Sequence, residues 1–314
     1  MRADAVVIGR NEGARLLACL ASLTGQVGRI VYVDSGSDDG SAEAAAAAGA
    51  EVVALDMSVP FTAARARNAG LERLKGSQAE FVQLVDGDCT VDPGWVATAM
   101  DFLAAEPEAA VACGRRREEH TEASVYNRLC DHEWDTPVGP ALACGGDALM
   151  RRAALEQVGG FNPGLIAGEE PELCVRLRQA GWTVWRLDAA MTRHDARILR
   201  FGQWWKRSRR AGHAFAEGAA LHGGPPERHW VAETRRALLW GAALPVAILL
   251  CGLSEPWLWL LALIYPAQVL RLARRGSLAV AMFTVLGKFP EAIGALSYYV
   301  NRLRGRKTAL MEYR

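Results

Sequence analysis

The sequence predicts an α/β fold with a doubly wound, mostly parallel sheet, followed by a C-terminal hydrophobic helical membrane segment. Up to about residue 200, short apolar runs alternate with amphipathic stretches of helical spacing, which indicates parallel strands covered by helices. Beyond residue 200 the alternation stops and long uncharged apolar runs begin, as in membrane-associated helices. In parallel sheets of this kind ligands bind beyond the carboxyl ends of the strands. We therefore expect a functional site there.

Five short apolar runs are the predicted strands, at residues 5–8, 30–33, 52–55, 81–85 and 110–112. Between the first two, leucines recur at helical spacing from Leu16 to Leu23. Between the second and third, an alanine-rich stretch begins at Ser41 and ends at Gly49, a residue suited to a helix C-terminus. This repetition of strand and helix is what the predicted fold requires.

The composition limits the possible classes of function. Lys and Arg total 36 against 35 Asp and Glu, so bulk charge gives no support to a nucleic-acid partner. The seven cysteines are scattered without a CxxC pair, and we expect buried thiols in a reducing compartment. The apolar run at residues 5–8 is too short for the core of a signal peptide, so we expect that the first domain is not exported by that route.

Aromatic and cationic residues mark the start of the C-terminal part. The segment 201–210 combines Trp204 and Trp205 with four lysines and arginines, a mixture typical of helices that lie at a membrane interface. A polar stretch at 222–228 is the predicted linker. We therefore divide the chain into a catalytic domain at 1–200, an amphipathic interfacial helix with its linker at 201–232, and a membrane-associated part at 233–314.

Two uncharged apolar runs, at 237–254 and 256–270, have arginines on both outer flanks. The positive-inside tendency predicts a helical hairpin whose flanks lie in the cytoplasm and whose turn at Glu255 faces outward. Two buried helices of a soluble accessory domain are the alternative. A third stretch, at 278–300, carries two charges in its middle and is predicted to lie on the membrane surface. A basic tail ends the chain.

The strongest chemical signal is an apolar strand that ends in Asp86, Gly87 and Asp88. Carboxylates two positions apart at a strand end can reach one site, where oxygen ligands suit Mg²⁺ or Mn²⁺ and the metal can bridge diphosphate oxygens. Aspartates in turns are also common for structural reasons. The preceding apolar strand favours a metal-diphosphate site.

A second acidic cluster follows the predicted strand at 30–33. Here Asp34 can accept hydrogen bonds from a ribose or a base edge, while Asp39 or Ser41 can cap the next helix. Further along, Arg65 and Arg67 are two positions apart and cannot share one helix face. We favour Arg67 as the ligand-binding arginine.

Two further candidates lie between residues 165 and 200. The adjacent Glu169 and Glu170 precede Pro171 at a predicted helix start, where negative charge is stabilised and a carboxylate can serve as a base. Acids at this position are equally common for stability alone. His194 follows a short apolar run and is a candidate metal ligand.

In order and spacing, these motifs resemble the family 2 inverting glycosyltransferases of GT-A fold. The matching pieces run from residue 7 to residue 173: Val7 to Glu12, Val33 to Asp38, Ala66 to Asn68, Asp86 to Asp88, Gly145 to Asp147, and Gly168 to Leu173. The resemblance spans roughly residues 3 to 200. The hydrophobic C-terminus resembles that of bacterial members that assemble exopolysaccharides or lipid-linked glycans.

The resemblance implies the nucleotide-diphospho-sugar transferase fold and a role for each matching residue. Asp34 would contact the nucleobase, Asp86 and Asp88 would handle ribose, diphosphate and metal, and His194 would lie near the metal. Where the family commonly has Glu-Asp this chain has Glu-Glu, so both Glu169 and Glu170 are candidates for the catalytic base.

It further implies transfer of a sugar with inversion, from a nucleotide diphosphate donor such as a UDP-sugar to a glycan or lipid-linked acceptor. The expected location is the inner, cytoplasmic membrane, with the catalytic domain in the cytoplasm. Segment 203–207 does not match the motif of processive synthases, which favours single transfers. The alternatives are a sugar-phosphate nucleotidyltransferase and an inactive membrane scaffold that binds nucleotide sugars.

Overall fold

The computed structural model describes residues 2–306, so the end of the predicted basic tail lies outside the described residues. The chain divides into two compact units. The first comprises Met1–Leu165 and Glu169–Arg197, and the second comprises Ile166–Gly168 and Ile198–Arg314. The division into functional parts at residues 200 and 232 stays a prediction.

The first unit contains one mixed sheet with the strand order β3-β2-β1-β4-β8-β6-β9-β5, and β7 pairs with β9. Its strands are β1 (Ala3–Gly9), β2 (Ile30–Asp34), β3 (Glu51–Ala54), β4 (Phe81–Asp86), β5 (Cys89–Val91), β6 (Ala109–Glu118), β7 (Gly139–Pro140), β8 (Ala148–Arg151) and β9 (Thr183–His194). The α-helices of this unit are α1 (Ala14–Leu23), α2 (Ser41–Ala47), α3 (Ala63–Arg73), α4 (Trp95–Ala105), α5 (Val125–Glu133), α6 (Arg152–Gln157) and α7 (Glu169–Gln179).

The predicted α/β fold is confirmed. The strands β3, β2, β1 and β4 are parallel, as the alternation of strand and helix requires. The later strands differ from a purely parallel sheet, because β8 runs antiparallel to both β4 and β6. The run predicted at 110–112 is the start of the ten-residue strand β6, whose second half is rich in arginine and was therefore invisible to a search for apolar runs.

The core of this unit lies on both faces of the central strands. Val6, Val33, Phe81 and Leu84 are fully buried, as expected of strands covered by helices on both sides. The helix α1 buries Leu16, Leu20 and Leu23 of the predicted leucine stripe, whereas Leu17 is exposed. The described cysteines are all free thiols, and six of the seven are buried.

The second unit is helical, with α8 (Phe201–His222), α9 (Val231–Ser254), α10 (Pro256–Ala273) and α11 (Leu278–Leu303). The last three are long and apolar enough to cross a membrane. The break between α9 and α10 falls at Glu255, where the hairpin turn was predicted. By length and composition α11 is also a candidate span, although the sequence assigned it to the membrane surface.

Large apolar side chains on these helices face outward. Leu250, Leu253, Leu260 and Leu263 are each at least 60% exposed. Helices of a soluble accessory domain would bury such side chains in a core, whereas lipid-facing helices expose them. The exposure therefore favours membrane helices over the soluble alternative.

Substitution of Gly70 by alanine tests the packing of α3 on the sheet. A Cβ atom at this position would lie 2.3 Å from Val6 Cγ1 and 3.2 Å from Val33 Cγ2. We expect Gly70→Ala to destabilise the first unit by about 1–3 kcal/mol, because an overpacked core must shift. Thermal unfolding would measure the loss. Gly145→Ala is the control, since no atom lies within 4 Å of its Cβ position; equal unfolding temperatures for the two variants would contradict the prediction.

Candidate active site

The carboxyl ends of three parallel strands bring two of the predicted aspartates to one edge of the sheet. Where β1 pairs with β2, Gly9 lies beside Asp34, and where β1 pairs with β4, Ile8 lies beside Asp86. Asp34 and Asp86 therefore flank the end of β1. This is the edge at which ligands bind in sheets of this type.

The guanidinium of Arg67 forms ion pairs with three acidic residues of the site. Its side chain is 3% exposed, and its Nη2 donates to Asp86 Oδ1 at 2.9 Å. Its Nη1 lies 2.9 Å from Glu169 Oε1 and 2.8 Å from Glu170 Oε1. Burial alone would lower the pKa of Arg67, but these carboxylates raise it above its ordinary value. Arg67 thus connects the end of β4 to the start of α7.

The neighbouring arginine points elsewhere, as the helical spacing predicted. Arg65 donates to the carbonyl oxygens of Val59 and Pro60 and so stabilises the loop before α3. The N-terminus of α3 is capped by Thr62, whose hydroxyl accepts from the Arg65 amide. The cap fixes where the helix begins, and Arg67 follows at the inward-facing position.

The two glutamates form the first turn of α7. Burial first, and the negative charge of Glu169 next, raise the pKa of Glu170 to about 7. Because its side chain is still 12% exposed, Glu170 retains access to solvent. The nearby Glu172 forms an ion pair with Arg176 on the same helix. A carboxyl group with a pKa near neutrality is well suited to accept a proton.

Asp88 and His194 form the second part of the site. The pairing of β5 with β9 places Cys89 opposite His194, and His194 Nε2 lies 3.2 Å from Asp88 Oδ2. Ligand atoms of Asp88, Cys89 and His194 all lie within 4.8 Å of one another. A carboxylate is a suitable ligand for Mn²⁺ or Mg²⁺, whereas an imidazole is a ligand of transition-metal ions and suits Mn²⁺ better than Mg²⁺. Asp88 therefore fits either predicted ion, and the pair of Asp88 and His194 fits Mn²⁺.

The structure gives the two aspartates of the Asp-Gly-Asp motif different neighbours. Asp88 faces His194, whereas the carboxylate of Asp86 lies between Arg67 and Arg116, with Arg116 Nη2 at 3.5 Å. Asp86 also lies within 4.8 Å of ligand atoms of Asp147. A direct role for Asp86 on the metal stays a prediction.

Sequence reasoning gave no role to Arg116 or Asp147. Arg116 Nη2 lies 2.8 Å from Asp147 Oδ2, and Thr192 donates its hydroxyl to the same oxygen. Burial alone would raise the pKa of Asp147. The charge of Arg116 and the hydrogen bond from Thr192 outweigh burial and hold this pKa below its ordinary value. The run of three arginines inside a strand was the available signal for Arg116. Asp147 belongs to a matching motif, but only the fold shows its partners.

Gly146 leaves the space in which the side chains of this cluster meet. A Cβ atom at this position would lie 2.7 Å from Asp86 Oδ2 and 2.9 Å from Arg67 Nη2. Any larger residue would push apart the ion pair between Asp86 and Arg67. The glycine is thus required by a close approach of side chains.

Asp34 occupies the predicted position at the end of β2 and organises its own turn. Its carboxylate accepts from the Tyr32 hydroxyl and from the amides of Gly36 and Ser37, each at 3.0 Å. This fixes the loop that follows the strand. Contact of Asp34 with a nucleobase stays a prediction.

Comparisons with known proteins agree with this geometry. Residues 4–159 match the family model described as Glycosyl transferase family 2. The pre-mycofactocin glycosyltransferase of Mycobacterium tuberculosis H37Rv is 27% identical in an alignment of 204 residues that covers 61% of this chain and 42% of that protein. The chain thus spans less than half the length of the curated relatives it matches.

Two solved structures share the fold. The mannosyltransferase PcManGT from Pyrobaculum calidifontis, in complex with GDP-Man and Mn²⁺, has a TM-score of 0.67 at 20% identity and covers 94% of this chain and 87% of its own. Residues 1-349 of TarS from S. aureus give a TM-score of 0.54 at 16% identity, covering 98% and 92%. The matching family model and the shared fold together show that residues 4–159 form a glycosyltransferase family 2 domain of GT-A fold.

Proposed function

We propose that this enzyme transfers a sugar from a nucleotide diphosphate donor, such as a UDP-sugar, to an acceptor hydroxyl with inversion at the anomeric carbon. The contacts of Arg67 carry this proposal. Its guanidinium contacts Asp86 of the Asp-Gly-Asp motif and the two candidate bases, Glu169 and Glu170. Donor-binding and proton-accepting groups are therefore adjacent. This adjacency is what a single displacement requires.

The donor side of the proposal rests on the acidic strand ends and on the fold. PcManGT, which shares the fold, is in complex with GDP-Man and Mn²⁺, and TarS 1-349 is in complex with UDP-GlcNAc. We infer that Asp88 and His194 hold Mg²⁺ or Mn²⁺ here, with Asp86 at its side. Bound there, the metal would stabilise the negative charge of the departing nucleoside diphosphate.

The acceptor side rests on Glu170. Its pKa of about 7 allows it to exist as a carboxylate near neutral pH and to take the proton of the attacking hydroxyl. Arg67 keeps this carboxylate in place while it is charged. Glu169 shares the guanidinium, and its negative charge sets how strongly Glu170 holds the proton.

The helices of the second unit indicate where the reaction takes place. Three candidate spans and the segment with Trp204, Trp205 and neighbouring cations favour an acceptor at or in a membrane. We infer a glycan or lipid-linked acceptor in the assembly of an exopolysaccharide, cell-surface glycan or glycolipid, at the cytoplasmic face of the inner membrane. Arginine flanks on α9 and α10 support this orientation.

Replacement of the proposed base separates catalysis from binding. We expect Glu170→Gln to lower kcat by about 100-fold or more, since general base catalysis contributes about 10²–10⁴-fold, while affinity for the nucleoside diphosphate remains. Transfer assays and calorimetric titration with UDP and GDP would measure the two properties. Asp101→Asn on the exposed face of α4 is the control, and wild-type turnover in Glu170→Gln would remove this residue from the mechanism.

The pH profile distinguishes the two glutamates. In the wild type only the carboxylate form accepts a proton, so kcat/KM should fall about tenfold per pH unit below about 7. Glu169→Gln removes the neighbouring negative charge, which lowers the pKa of Glu170 and moves this limb to lower pH. If Glu169 were the base, the same substitution would instead abolish transfer at every pH.

Metal dependence tests the assignment of Asp88. We expect Asp88→Asn to lose transfer and Mn²⁺ or Mg²⁺ dependence together, because the amide is a much weaker ligand than the carboxylate. EDTA should have the same effect on the wild-type protein. Full activity of the variant, or of the wild type in EDTA, would refute the metal site. Asp101→Asn again controls for a general loss of charge.

A further inference from the structure

Trp134, which no sequence motif singled out, contacts both Arg116 and His194. The guanidinium carbon of Arg116 lies 5.3 Å from the centre of its ring, in the geometry of a cation–π contact. The ring of His194 meets it edge-on at 4.9 Å between centroids. Arg116 forms an ion pair with Asp147, and His194 Nε2 lies 3.2 Å from Asp88 Oδ2. One indole thus lies against the partners of two aspartates.

The backbone around Trp134 is held from both sides. Arg115 on β6 forms ion pairs with Asp131 Oδ2 at 3.0 Å and with Asp135 Oδ1 at 3.1 Å, the residues three before and one after Trp134. The Trp134 amide also donates to the Cys130 carbonyl oxygen, closing the last turn of α5. The chain therefore fixes the indole at the site through contacts independent of the ring itself.

We propose that Trp134 is a positioning residue for the metal site, acting through His194 and Arg116. This inference rests on the proposed function, in which Asp88 and His194 hold a divalent cation. The T-shaped contact with the indole restricts rotation of the His194 ring, so that its nitrogen stays directed at Asp88 before the cation arrives. The indole face holds Arg116 against Asp147 and away from the ligand oxygens of Asp88.

The physical basis is preorganisation. A ligand that is free to rotate must be ordered when the cation binds, and that cost weakens binding. Groups that orient metal ligands typically change affinity by about 10–100-fold when removed. An aromatic ring is needed in this position because an aliphatic side chain of similar bulk offers neither a π-face to Arg116 nor an aromatic partner for the T-shaped contact with His194.

Electron paramagnetic resonance of Mn²⁺ tests the inference without relying on turnover. The full chain in detergent would be titrated with MnCl₂ in the presence of UDP, and the signal of free Mn²⁺ gives the Kd. We expect Trp134→Leu to raise the Kd about 10-fold and Trp134→Phe, which keeps a ring, to raise it less than about 3-fold. Trp185→Leu is the matched control, since that indole packs on Phe102.

The outcomes separate the two proposals. Wild-type Mn²⁺ affinity in Trp134→Leu, or an equal loss in the control, would overturn the role of Trp134 while leaving the metal site intact. No Mn²⁺ binding by the wild-type chain would overturn the metal site and this inference with it. If Trp134→Leu fails to fold, Asp135→Asn takes its place, because it loosens the segment through Arg115 alone; unchanged affinity there would also overturn the proposal.

Discussion

The site depends on the burial of Arg67 among three carboxylates. A guanidinium that is 3% exposed would be costly to bury alone, and Asp86, Glu169 and Glu170 offset that cost through direct contacts. Burial first, and the negative charge of Glu169 next, raise the pKa of Glu170 to about 7, so this carboxyl group holds a proton more tightly than an exposed one. The same ion pairs that stabilise the fold thus prepare a base.

A second arginine extends this network towards the metal site. Arg116 joins Asp86 to the fully buried Asp147, and Gly146 leaves the space in which these side chains meet. Asp88 faces His194. The two aspartates of the Asp-Gly-Asp motif therefore have different surroundings. Asp86 is held by arginines, and Asp88 is directed towards His194, with which it could bind a divalent cation.

Much of this could be predicted from local pattern. The alternation of strands and helices, the aspartates at strand ends and the acidic start of α7 are sequence-local features. The fold class that they predicted is confirmed, and residues 4–159 match the glycosyltransferase family that the motifs resemble. The antiparallel insertion of β8 was missed because strand direction depends on distant pairing. The roles of Arg116, Asp147 and Trp134 were missed because their partners lie 15 or more residues away.

We propose that this site performs metal-dependent transfer from a nucleotide sugar, with Arg67 holding Asp86 beside Glu169 and Glu170. The most direct measurement is the release of nucleoside diphosphate by the detergent-solubilised chain, from a panel of UDP-, GDP- and dTDP-sugars with membrane lipid extract as acceptor source. We predict release from one class of donor, dependent on Mn²⁺ or Mg²⁺ and strongly reduced in Arg67→Lys, which keeps the charge but loses the fork of donors. Absence of release from every donor, or equal release in EDTA, would contradict the account.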